Sequence, residues 1–319
     1  VIDFRYHLVS IVAIFLALAV GIVMGTTLLQ SPAIDAAKKT SDLMTKANDG
    51  LRADLDILRG REAANDAFVT ARTPHLVAGE LNAQRVVLIE APGSNTTYRE
   101  AQEQVLLQAG ATITGRVALT DAFLDPKGAG VIDQLVTTLK PSDMNFSPDT
   151  TTAAKAGALL AAVLMTGDPA QAGTPNPATA AVLGAFETGG LLSTEDEPAK
   201  RATLAVLFAP DKPFEGKNAE AQAASLAALA DRLDVAGKGA VVAGSAATTT
   251  TGNLVSAVRD DGDIAKRVST VDTVDMPAGR VVIVYALREQ LNGRAGQYGI
   301  GKSLPPLSTA SPSPTESGS

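Results

Sequence analysis

Two hydrophobic rhythms divide this chain. From Leu8 to Leu29 almost every position is apolar, none is charged, and the next charge is Asp35. At about 1.5 Å per residue a helix over this stretch reaches roughly 33 Å, enough to cross the hydrocarbon core of a bilayer. The rest of the chain holds no second run of this kind. A cleaved signal peptide is the alternative, but its apolar region spans only about 7 to 15 residues and ends in an A-x-A-like pattern. Here the run is longer and continues into Leu28-Leu29-Gln30-Ser31-Pro32. The pattern therefore predicts a cytosolic leader over 1–7 and an uncleaved, lipid-embedded helix over 8–29. Arg5 on one side faces Lys38, Lys39 and Lys46 on the other, so charge alone does not orient the span. The short leader before a single anchor predicts a cytosolic N-terminus and an extracytoplasmic body.

Within the span, Ala13, Ala17, Gly21 and Gly25 recur every fourth residue, a spacing that lines small side chains along one side and favours helix pairing in lipid. Gly and Ala are also common in such helices without any pairing role. Beyond the span the rhythm changes to alternating steps of three and four through Ile34, Ala37, Ser41, Met44, Asn48, Leu51, Leu55 and Leu58, the two core rows of a left-handed coiled coil. Asn48 is the kind of polar core residue that specifies register and oligomer number at some cost in stability. Lys38, Lys39, Asp42, Lys46, Arg52, Asp54, Asp56 and Arg59 flank the stripe. Gly50 and Gly60 each cost about 1 kcal/mol relative to Ala. The expectation is a coiled-coil stalk over 30–73, its seam ending by Pro74, and a parallel homodimer. The alternative is a single amphipathic helix folded back on the body.

From about Leu81 short β-branched runs alternate with Ala-rich helical stretches. Strands are expected at Arg85–Ile89, Ala202–Phe208, Gly239–Gly244 and Arg280–Tyr285, the last running into a helical Ala286–Leu291. Helices are expected at Tyr98–Gln108, Ala219–Leu233 and Leu254–Val268, with Ala153–Met165 as a core helix too short to span a membrane. Near-continuous apolar strands separated by helices argue for a mainly parallel sheet covered on both faces. The predicted fold is an α/β, Rossmann-like or flavodoxin-like body over 81–303. The loop Gly167–Pro177 is flexible by composition, and the Ser/Pro-rich tail over 304–319 is expected to be disordered.

Composition narrows the chemistry. A net charge of −7 leaves no basic footprint for nucleic acid. Cysteine is absent, which removes disulfides and thiolate chemistry. The absence of Trp and an aromatic content of 4% argue against a barrel with aromatic girdles. Pro92-Gly93-Ser94-Asn95 follows the first strand, where α/β proteins bind anions at a helix N-terminus, but it lacks the Gly-x-Gly-x-x-Gly and Walker patterns; a tight turn and a phosphate cradle stay open. Ser245 is not in a nucleophile elbow. His7 and His75 are the two imidazoles, and Glu90 and Asp211 are either crevice carboxylates or solvated loop residues. No catalytic residues emerge, and the expected protein is not an enzyme.

The opening Asp3-Phe4-Arg5-Tyr6-His7-Leu8-Val9-Ser10-Ile11-Val12 with Gly21 and Gly25, and the closing Gly279–Leu291 followed by Gly293, Gly296, Gln297, Tyr298 and Gly299, resemble the actinobacterial family named for mycobacterial copper transport protein B, the MctB-like copper transporters. The resemblance implies a part in copper efflux or resistance, with pore formation in the outer envelope. It also implies an alternative, a non-catalytic scaffold of cell separation that binds a cytosolic division protein and regulates peptidoglycan hydrolases. Copper as a ligand rests on the resemblance alone, and no cofactor is evident. Copper(I) prefers thiolates and thioethers, and Met24, Met44, Met144, Met165 and Met276 form no Met-rich motif. Any copper phenotype is expected to be indirect or to use a site assembled between subunits.

Overall fold

The computed structural model describes residues 4–142, 144–148, 150–300 and 302, without the side chains of 26–34 and 36. The expected tail over 304–319 lies outside the described residues. The chain divides into two compact units, Val1–Asn65 and Asp66–Ser319.

A single helix, Phe4–Val77 (α1), runs without interruption through the apolar stretch and the heptad stretch. Its segment Phe4–Gly25, 22 residues, is long and apolar enough to cross a membrane. That segment starts four residues earlier than the apolar run alone predicts, because Phe4 and Tyr6 continue the same helix. The helix also passes Pro74 and ends three residues later at Val77. Thr73 returns its hydroxyl to the Val69 carbonyl at 2.9 Å, and Gly79 at φ +77° turns the chain away.

The second unit is a seven-stranded sheet built from Arg85–Glu90 (β1), Thr112–Leu119 (β2), Leu192–Asp196 (β3), Leu204–Phe208 (β4), Gly239–Ala243 (β5), Ser269–Val271 (β6) and Gln297–Tyr298 (β7). Its order is β3-β2-β1-β4-β5-β6-β7, with every pair parallel except β2 and β3. The helices are Thr96–Gln108 (α2), Asp121–Leu124 (α3), Ala129–Leu139 (α4), Thr152–Leu164 (α5), Pro177–Thr188 (α6), Ala219–Ala236 (α7), Leu254–Asp260 (α8) and Pro277–Leu291 (α9). Strand alternation sorts the core into two layers. Val87, Ile89, Ala205, Leu207, Ala240 and Val242 face α4 to α8. Val86, Leu88, Leu204, Val206, Phe208 and Val241 face α2, α9 and the end of α1 through Val77.

Two expected elements are corrected. Arg280–Tyr285 is not a strand but the middle of α9. Pro277 sits at its first turn, where a missing N–H costs nothing. Val281, Ile283, Val284 and Tyr285 are all buried, so tertiary burial overrides the β preference of a branched run. Leu254–Val268 is helical only to Asp260. There Asp261 accepts the amides of Asp263 and Ile264 in an Asx turn, and the chain turns into β6. The sequence pattern also does not reveal β2, which carries Gly115 at its centre. A Cβ at Gly115 would run into the backbone of Pro198, and the β1–β2 register shifts between Val86 and Val87 opposite it.

Candidate functional site

Every predicted pairing residue lies on α1. Ala13, Ala17, Gly21 and Gly25 are exposed within this chain, as are Ala37, Ser41 and Asn48. Met44 is 69% exposed, Leu51 64%, Leu55 50% and Leu58 57%. The side chain of Ile34 lies outside the described residues. A Cβ added at Gly21 or Gly25 would meet no atom. These residues contribute nothing to the body's two core layers, so the rows keep an uncovered apolar face.

In the second unit, ligands of open α/β sheets bind where strand order reverses, here between β1 and β4. That place is stitched shut by its own loops. The Ala91 amide donates to Phe208 at 3.1 Å and the Asp211 amide to Gly93 at 3.0 Å, while Ser94 bridges Pro210. Asn95 caps α2 by accepting the Thr97 amide at 3.0 Å, and its Nδ2 donates to Asp211 Oδ2 at 3.0 Å. The end of α2 that would hold an anion thus has its own polar cap, with the Asp211 carboxylate beside it. Burial, then the charges of Asp211 and Asp275, push the Tyr98 hydroxyl above its ordinary pKa. The loop Pro92–Asn95 is a pinned turn.

Glu90, at the end of β1, belongs to a charged chain. Arg99, 6% exposed, sets its Nε 3.2 Å from Glu90 without hydrogen-bond alignment and donates Nη1 to Glu103 at 3.3 Å. Arg116 grips Glu103 at 2.9 Å and 3.0 Å and reaches Glu195 at 2.6 Å, contacts that raise its pKa. Sequence reasoning misses this network because it depends on β2 and its antiparallel neighbour. His7 and His75 both lie on α1, and Ser245 precedes a 3-10 turn, its carbonyl accepting from Thr248.

The closing segment builds the other polar cluster. Arg259 on α8 donates to Thr270 at 2.8 Å, to the buried Asp272 at 2.7 Å and to the Tyr298 carbonyl at 2.8 Å. Asp272 also accepts the Ile300 amide at 2.9 Å. Tyr298 donates to Glu289, and burial together with that carboxylate drives its pKa upward. Gly299, at φ +136°, lies so close that a Cβ would strike the Asp272 carboxylate. A cavity of about 610 Å³ opens beside this cluster, lined by Ser256, Arg259, Asp272, Ile300 and Lys302 among others, but its buried charges are already spent on one another.

Among the described residues no group of three or more His, Cys, Asp or Glu side chains is arranged to hold a metal ion. The methionines are scattered: Met24 and Met44 are exposed on α1, Met165 is buried, and Met144 packs against the core.

The family described as copper transport outer membrane protein, MctB, matches residues 1–308. The chain belongs to the MctB family. It is similar to the copper transporter MctB of Mycobacterium tuberculosis and of Mycobacterium bovis, 29% identical over 308 residues covering 94% of this chain and 96% of theirs. It is likewise similar to the copper transporter MctB of Mycobacterium leprae, 28% identical over 312 residues covering 94% and 96%. The MctB match reaches from the apolar helix through the Gly296–Gly299 cluster. Family and apolar helix together make this a membrane or envelope protein.

Proposed function

We propose that this chain is a non-catalytic envelope scaffold acting in copper efflux or homeostasis, held by one membrane helix, with a cytosolic N-terminus and an extracytoplasmic body. It works as a parallel homodimer. The observation that carries the reading is the uncovered apolar face of α1, where Met44, Leu51, Leu55 and Leu58 are each at least half exposed within one chain. A surface of that kind is stable in water when a second helix covers it.

Charge favours a second copy lying parallel and in register. With Ile34, Ser41, Asn48 and Leu55 as one core row and Ala37, Met44, Leu51 and Leu58 as the other, Asp54 flanks the seam on one side and Arg59 on the other. In a parallel pair Asp54 approaches Arg59 of the second copy, and the equivalent positions Ala47 with Arg52 and Thr40 with Thr45 bring no like charges together. An antiparallel pair would instead face Lys38, Arg52 and Arg59 toward one another. The body is read as a Rossmann-like sheet whose ligand crevice is closed by Asn95 and Asp211, which supports a binding surface over an active site.

The test is sedimentation equilibrium of the full chain in detergent, beside copper sensitivity of a deletion strain carrying the same variants. The parent is expected to be a dimer that restores copper tolerance. A combined Leu51→Asp and Leu55→Asp variant is expected to be monomeric and to fail to restore it. A monomeric parent at tens of micromolar, or a monomeric variant that restores tolerance fully, would overturn the reading.

A further inference from the structure

We propose that the open edge of β2 is a docking site for an extended segment of a partner protein, which adds to the sheet as a short strand in line with β3. The inference gives the scaffold reading a partner surface. It rests on the body alone, so it stands or falls separately from the pairing of α1.

β3 covers β2 only from Gly115 to Leu119, whereas β2 begins at Thr112. Two residues cut β3 short. Asp196 ends it at φ +61°, a left-handed turn that Asp adopts more readily than most side chains. Pro198, which has no N–H to offer a ladder, closes on Gly115 so tightly that a Cβ there would stand 2.5 Å from its backbone nitrogen. Among the described residues, Thr112, Ile113 and Thr114 therefore have β1 on one side and no strand on the other. Thr112 turns its amide inward to the Gln84 carbonyl at 2.9 Å, so Ile113, next in the alternation, turns its amide and carbonyl to the open side. An unpaired edge of this kind is a template for another strand.

A cleft of about 620 Å³ runs along this edge, lined by Arg85, Thr112, Ile113, Thr114, Gly173 and Lys200 among others. Its two ends carry opposite charge. Toward Gly115, Arg116 is shared by Glu103, Glu195 and Asp196, so carboxylates outnumber cations there. Lys200 is already paired with Glu197. Toward Thr112, the Arg85 guanidinium has no ion pair or hydrogen bond among the described residues. It rests against Gly173, where a Cβ would stand 2.0 Å from Nε, so the loop is shaped around it. Arg201, whose carbonyl accepts the Gly173 amide at 2.9 Å, adds a second cation without a carboxylate: its Nη2 donates to Gln171 at 2.6 Å and its Nε is buried without a partner. A segment with a carboxylate facing Arg85 and a cation facing Glu195 and Asp196 complements both ends. Main-chain bonds to Ile113 supply affinity, and the charges select the segment and its direction.

The experiment presents the full chain in lipid nanodiscs with a display library of random linear heptapeptides, and the enriched peptides are then measured by fluorescence anisotropy. Enriched sequences are expected to carry one acidic and one basic residue separated by β-branched positions. Replacing the peptide's acid by its amide, or Arg85→Gln in the protein, should weaken binding about tenfold or more, as expected for loss of a charge-assisted hydrogen bond. Arg85→Lys should restore part of it. Arg85→Gln should melt as the parent does, because the guanidinium holds no partner in the body. N-methylation of the peptide amide that meets Ile113 should abolish binding, whereas N-methylation of the neighbouring amide, turned away from the edge, should not. The combined Leu51→Asp and Leu55→Asp variant should bind the peptide as the parent does, whatever its oligomeric state. A library that enriches no sequence, an Arg85→Gln protein that binds as well as the parent, or a peptide indifferent to N-methylation at every position would overturn the site. A parent that binds inorganic phosphate through Arg85 but no peptide would overturn it equally.

Discussion

The two units of this protein solve the problem of apolar surface in opposite ways. In the second unit, a strand such as β4 has all five of its residues buried, Leu204 to Phe208, and its side chains feed two core layers of the same chain. In the first, Ile14, Phe15, Leu51 and Leu55 are half or more exposed on a helix that offers them no neighbour. A buried leucine or valine contributes about 1.5 to 3 kcal/mol. The second unit gains that stabilisation by itself, whereas the exposed apolar side chains of the first gain none of it within the chain. The same contrast governs charge. Asp272, 2% exposed, is paired with Arg259 and tied to the Ile300 amide, whereas Arg59 and Asp56 on α1 stand 3.7 Å apart with about three quarters of each side chain in water.

Perturbing each unit separately breaks or sharpens the comparison. The largest effect is expected from Leu51→Asp with Leu55→Asp: apposed like charges should weaken association by roughly a hundredfold or more. The body's melting transition by scanning calorimetry should stay where it was, and a body that unfolds with the helix would end the division into two independent solutions. Next is Arg259→Leu, which leaves the Asp272 carboxylate buried without its counter-charge. The cost is about 3 to 5 kcal/mol of body stability, read as a fall in the same transition with no change in oligomer mass. Asn95→Ala removes both the α2 cap and the tie to Asp211, for a loss of about 1 to 2 kcal/mol.

The smallest effect is a pH dependence. Asp234 is pushed up to about 6, first by burial and then by Asp231, against the opposing pull of the Ala240 amide and Arg267. The folded state therefore holds this proton more tightly than the unfolded state does. Its contribution is complete at low pH, and body stability is lost as pH rises from about 4 to about 6. Because the Arg267 and Asp231 charges lie nearby and the site is partly solvated, the term is on the order of 1 kcal/mol. Asp234→Asn keeps an acceptor for Ala240 and should flatten that slope, leaving the variant more stable than the parent at pH 7. An unchanged slope in a stability-against-pH series would remove the carboxylate from the account.

Local pattern alone determined the apolar span, the heptad rows and the α/β alternation, because each is a short-range periodicity that one helix or strand displays by itself. Leu8–Leu29, the rows through Leu58 and the runs at Arg85 and Gly239 all declare themselves in this way. Only the tertiary structure decided that Arg280–Tyr285 is helical, that Thr112–Leu119 is a strand despite Gly115, and that the crevice beside Asn95 is closed. Each of those depends on partners far along the chain: the buried seat of α9, the backbone of Pro198 against Gly115, and Asp211 against Asn95. Periodicity reports which face a residue presents. It carries no information about what arrives to meet that face, and in this protein the closed crevice and the charged networks were all made by such arrivals.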